Sequence, residues 1–73
     1  MPQPHERIAA EIRAEVARQR ATQVQLAQLL DLSQAAVSRR LSGDTPFTLN
    51  ELAAIAQFLN VPITKFIVSE QVA

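Results

Sequence analysis

The chain has no cysteine, no tryptophan and no tyrosine, and only one glycine and one histidine in 73 residues. Without cysteine neither a disulfide nor a thiolate metal site can form, and the redox compartment leaves no trace. Bulky apolar side chains are also scarce, since twelve of the 35 apolar residues are Ala. That favours thin helices packed closely and leaves little bulk to wall off a ligand pocket of roughly 300–1,000 Å³. The longest apolar run, Leu52 to Ala56, is far shorter than the ~20 residues that span a bilayer, and no basic start followed by an apolar stretch marks a secretory signal. His5 has no ligand set and reads as a solvated terminal residue, and Ser, His and acidic residues are too scattered for a triad. The expectation is a soluble cytoplasmic chain that is not an enzyme, with no metal, no cofactor, no small-molecule ligand and no membrane partner.

Excess charge is missing too: the net charge is +0. Its distribution is uneven. Residues 1–12 carry −1 (Glu6, Arg7, Glu11) and residues 44–73 carry −2 (Asp44, Glu51, Lys65, Glu70), while Arg13, Arg18, Arg20, Arg39 and Arg40 against Glu15 and Asp31 leave the middle at +3. Six of the seven basic residues are Arg, whose planar fork suits phosphates and guanine edges better than Lys does. The alternative is a merely solvated helix face.

What remains is a chain of helices and their punctuation. At this length one domain is the limit, and a single core supplies about 3–5 kcal/mol. Ile8, Ile12 and Val16, backed by Ala9 and Ala17, place a first helix over 5–20. Thr22 with Gln25 fits a capping box that opens a helix over 23–30, with Leu26, Leu29 and Leu30 as its buried face. Ser33 is the N-cap of a third, over 33–42, whose Val37 and Leu41 are an inward i, i+4 pair. Gly43 directly after it suits a left-handed C-terminal cap. Thr48 and Glu51 form a second capping box, and Leu52, Ile55, Ala56 and Leu59 place a fourth helix over 49–60. Pro62 suits the first turn of a fifth over 62–68, where Ile63, Phe66 and Ile67 share a face and Val68 and Val72 point the other way. Nothing alternates like a strand, so the fold expected is all-α: one compact five-helix domain over 1–73, with residues 1–4 and 69–73 loose.

The second and third helices are too short and too closely joined to lie side by side, so they cross steeply. The run from Gln23 to Gly43 (Gln23-Val-Gln-Leu-Ala27, the turn at Asp31, then Ser33-Gln34-Ala-Ala-Val37-Ser38-Arg39 and a closing Gly43) resembles the helix-turn-helix family of phage repressors, Cro proteins and XRE-type regulators, the lambda-repressor-like domains. The resemblance implies a sequence-specific regulator of transcription on a double-stranded DNA operator, working in a bacterial cell or phage-infected host. It implies that Gln23 contacts a phosphate and braces Gln34. From the residues themselves, a braced Gln34 can meet the N6/N7 edge of adenine, and Arg39 can take guanine O6 and N7 together. With Val37 and Leu41 inward, Ala35, Ser38, Arg39 and Ser42 fall on the outer face, and Ala35 can offer a methyl to thymine. Thr22, Ser33, Ser42 and the backbone at Gly43 suit phosphates. Arg40 can reach a phosphate or cover apolar surface with its stem.

Three features depart from the family pattern. Asp31 stands where the turn usually has Gly, Asp44 puts a carboxylate beyond the third helix, and no Arg-rich arm exists to enter a minor groove. Weak positive charge argues for two copies on DNA, with Val68 and Val72 as the dimer contacts. Each site residue also has a plainer reading: Ser33, Thr22 and Thr48 as caps only, and Arg39 as a solvated surface residue. Neutral charge and Asp44 leave open a protein-binding module of the same fold, an antitoxin or adaptor.

Overall fold

A computed structural model describes residues 3–67. Four α-helices follow in order, α1 (Pro4–Gln19), α2 (Gln23–Leu30), α3 (Gln34–Leu41) and α4 (Leu49–Leu59), and a single 3-10 turn, Ile63–Lys65, comes after them. The described residues contain no strand. Gln3 and Pro4 belong to the helix start rather than to a loose tail: Pro4 takes the first helical position, and the Gln3 N–H donates to Glu6 Oε1 at 2.6 Å. Proline fits there because an N–H at that position would have no intrahelical acceptor.

The expected fifth helix over 62–68 is not formed. Pro62 is extended, and only Lys65 N–H to Pro62 O (2.9 Å), Phe66 N–H to Ile63 O (3.0 Å) and Ile67 N–H to Ile63 O (3.3 Å) tie the segment together. The sequence there is rich in β-branched residues, whose χ1 is restricted in a helix, and Pro62 supplies no donor. One turn is enough to seat Phe66 in the core. Ile67, expected on the same inner face, is 37% exposed, and so is Leu29 at 39%. Ala17 is exposed as well.

α1 packs on α3 and α4, α2 on α3 and α4, and the 3-10 turn on α4. The five largest fully buried side chains are one from each α-helix, Ile12, Leu26, Val37 and Ile55, and Phe66 directly after the 3-10 turn. Every element therefore needs the others to stay dry, and each such side chain is worth about 1.5–3 kcal/mol of apolar burial.

All three caps expected from sequence are formed. Gln25, Ala36 and Glu51 N–H groups donate to the Thr22, Ser33 and Thr48 hydroxyls at 3.1, 3.0 and 3.1 Å. The other ends close by a common device that the sequence marks at Gly43 and, through the family pattern, at Asp31. The residue after α1, α2 and α4 is left-handed (Arg20 φ 59°, Asp31 φ 56°, Asn60 φ 59°), and Gly43 beyond α3 has φ 89°. In each, the next N–H reaches back to close the helix: Ala21 to Val16 O, Leu32 to Ala27 O, Asp44 to Arg39 O and Val61 to Ala56 O, at 2.9–3.0 Å. This is the Schellman closure. The α1–α2 and α2–α3 connections thus share one design of three residues: left-handed, apolar, hydroxyl cap (Arg20-Ala21-Thr22 and Asp31-Leu32-Ser33).

A long side chain at φ 59° carries the left-handed penalty without the local hydrogen bonding that helps Asn and Asp. Arg20→Gly is expected to stabilise the domain by about 1 kcal/mol in urea unfolding, because the relief of strain exceeds the added chain entropy. Arg20→Val should move the midpoint the other way.

Candidate functional site

α3 divides lengthwise. Val37 and Leu41 are buried, Ala36 and Arg40 are half-buried, and Gln34, Ala35, Ser38 and Arg39 are exposed together on the far side. Ser33 holds its start, and Gly43 its end. Gly43 N–H donates to Arg40 O at 3.2 Å, and a Cβ on Gly43 would stand 3.3 Å from Glu6 Cγ, so α1 presses directly on the turn that ends α3. From the same helix Arg13 Nη1 donates to Leu41 O, supplying an acceptor-rich helix end with a cation.

Most of the basic side chains already have work inside the fold. Buried Glu15 accepts from Arg18 Nη1 and, at 2.6 Å, from Gln19 Nε2; Lys65 Nζ lies 3.8 Å from it. Gln19 Nε2 also donates to Leu59 O at 2.8 Å, so this group ties α1 to the end of α4 and to the 3-10 turn. Arg40 Nε donates to Glu51 Oε1 at 3.0 Å. The Arg39 side chain, by contrast, makes no hydrogen bond or ion pair among the described residues, and neither does that of Arg20.

The expected phosphate ligands separate by the same accounting. Thr22 and Ser33 are exposed and use their hydroxyl oxygens as acceptors, which leaves each O–H free to donate outward. Gln23 is exposed, and no hydrogen bond joins it to Gln34 among the described residues. Ser42 has spent its one O–H on Arg39 O at 2.9 Å. Gly43 is buried with its N–H occupied, because closing α3 consumes the donors of that turn. Val68 and Val72 lie outside the described residues. His5 stands apart in α1, and no group of three or more His, Cys, Asp or Glu fit to hold a metal occurs among the described residues. No helix among them is long and apolar enough to cross a membrane.

Sequence reading missed Arg13 and Glu15. For Glu15 a signal existed, because it falls beside Ile12 on the inward stripe of α1, where an acid requires donors.

Fold and site together define a small all-helical domain that presents one polar, cation-bearing helix face. The chain belongs to the BetR domain family, whose match covers residues 5–73. No match was found among curated proteins or among solved structures.

Gly43→Ala is expected to cost at least about 1–2 kcal/mol, the left-handed penalty for a side chain, with the crowding against Glu6 added to it. Thermal unfolding checks this, with Ser42→Ala as a neighbouring control that should stay within about 0.5 kcal/mol of the parent.

Proposed function

We propose that this chain is a sequence-specific double-stranded DNA-binding regulator of transcription, Cro-like or immunity-repressor-like, in which α2, the Asp31–Ser33 turn and α3 act as a helix-turn-helix and α3 enters the major groove. The observation that carries the reading is the joint exposure of Gln34, Ala35, Ser38 and Arg39 along a helix whose opposite face is buried. A recognition helix needs that arrangement: an inner face that fixes its pose and an outer face with free hydrogen-bonding groups. Arg39, without an internal partner, is the specificity residue for guanine, and Gln34 for adenine. Thr22, Gln23 and Ser33 stand at the starts of α2 and α3, where side-chain donors can meet phosphates. The BetR domain match and the resemblance to phage repressors and Cro proteins both support a regulatory role.

No cofactor, metal or catalytic group enters this reading. Its demand is for a second copy. With so few uncommitted cations, one reading helix binds weakly, and a homodimer on half-sites about 34 Å apart gains through effective concentration. Val68 and Val72 are the dimer contacts in this proposal.

A second reading has its own observation. Leu49 is 68% exposed at the start of α4, close in sequence to exposed Asp44, and an apolar and acidic surface of that kind suits a protein partner. Salt separates the two. If about four phosphates are neutralised, DNA affinity falls about a hundredfold between 50 and 200 mM salt, whereas an apolar protein contact is nearly indifferent.

Selection from random-sequence duplexes tests the proposal. The parent is expected to enrich one operator, and Arg39→Ala to lose discrimination at one G·C position per half-site, worth about 1–3 kcal/mol. An equal loss on every sequence would instead make Arg39 a phosphate contact.

A further inference from the structure

We propose that Arg40 and Glu51 are positioning residues that set the roll of α3 against α4, and that Arg40 itself does not touch DNA; the inference rests on the DNA-binding reading above. Arg40 Nε donates to Glu51 Oε1 at 3.0 Å, and its Nη1 donates to Ala36 O, one turn back, at 3.3 Å. The same Glu51 Oε1 accepts the Thr48 N–H at 2.9 Å, while the Glu51 N–H donates to Thr48 Oγ1 at 3.1 Å. One carboxylate oxygen therefore closes the start of α4 and grips a guanidinium rooted in α3.

The two side chains are only 17% and 14% exposed. A pair so shielded is screened by salt far less than a surface pair, and its partners are not readily released to a phosphate. The fork geometry matters as much as the charge. A guanidinium carries its donors in fixed directions, so bonds to Glu51 and to Ala36 O together leave it one pose. Arg39 is the next residue back, about 100° round the same helix, so whatever fixes the roll at Arg40 aims Arg39. A side-chain tip about 6 Å from the helix axis moves about 1 Å for roughly ten degrees of roll. That displacement is enough to break a two-point contact with a base edge.

The test compares the parent, Arg40→Gln and Glu51→Gln for binding to the selected operator and to a scrambled duplex across a salt series, at a temperature where circular dichroism shows all three folded. Glu51→Gln is the sharper variant. Gln serves in a capping box as Glu does, as the Thr22–Gln25 pair of this chain already shows, so α4 keeps its start while the Arg40 contact loses its charge and keeps at most a hydrogen bond to a neutral oxygen. Removing an acid from a DNA-binding protein should by charge alone tighten binding to every duplex. Positioning requires the reverse for the operator: in both variants the preference for operator over scrambled duplex falls about tenfold, with the salt slope unchanged. A salt slope reduced by about 0.9 in Arg40→Gln with preference intact makes Arg40 a phosphate ligand and overturns the inference. Tighter operator binding by Glu51→Gln with full preference overturns it equally. A parent chain that prefers no duplex overturns the DNA-binding reading, and this inference with it.

Discussion

A helix of eight residues has too few hydrogen bonds to persist alone in water, because nucleating it costs more than so short a run returns. α2 and α3 are each that long, so both exist only through what closes their ends and what covers their inner faces. The rest of the structure follows from that constraint. A hydroxyl accepts an N–H at the start of each, a left-handed residue folds the chain back beyond each end, and one large apolar side chain per helix, Leu26 and Val37, is fully buried. The three-residue connections do two things at once. They satisfy backbone groups that would otherwise face an apolar core, and they place Ala21 and Leu32 against that core as spacers between successive helices.

Charge is handled with similar economy. Among the described residues, buried Glu15 draws Arg18, Gln19 and Lys65 together, and Glu51 does the same for Arg40 and the start of α4. These are fixed cations, held against acids or, for Arg13, against the end of α3. A net charge of zero is therefore misleading about surface chemistry. The pairs cancel internally and the outer face of α3 keeps Arg39 with its donors unspent. Under the proposed base-reading role this arrangement has a physical merit: broad positive charge binds any phosphate, whereas a single free fork among neutral amides and methyls discriminates.

Much of this was legible beforehand, and the legible parts have a common character. Helix positions, the three N-caps, the glycine closure and the inward pair Val37 and Leu41 all depend on residues within a turn or two of one another, where period and capping chemistry decide the outcome. The misreadings were of a different kind. Leu29 and Ile67 are apolar at positions that look inward by period, yet each is left more than a third exposed, and the helix expected over 62–68 gave way to one turn because seating Phe66 required no more. The left-handed ends at Arg20 and Asn60 carry no glycine to announce them; only Asp31 was flagged, by its place in the turn.

Arg39 and Arg40 show where the boundary falls. Composition, period and capping placed by themselves the four α-helices that form, together with a fifth that does not, and put both arginines near the end of the third. Period put Arg39 on the outer face, but it could not decide whether Arg40 is free or held. The two side chains are chemically identical and adjacent, and their difference comes from Glu51, eleven residues further on, which reaches α3 only because α2 and α4 pack as they do. A partner brought near by folding is a property of the tertiary arrangement, and no local rule in the chain encodes it.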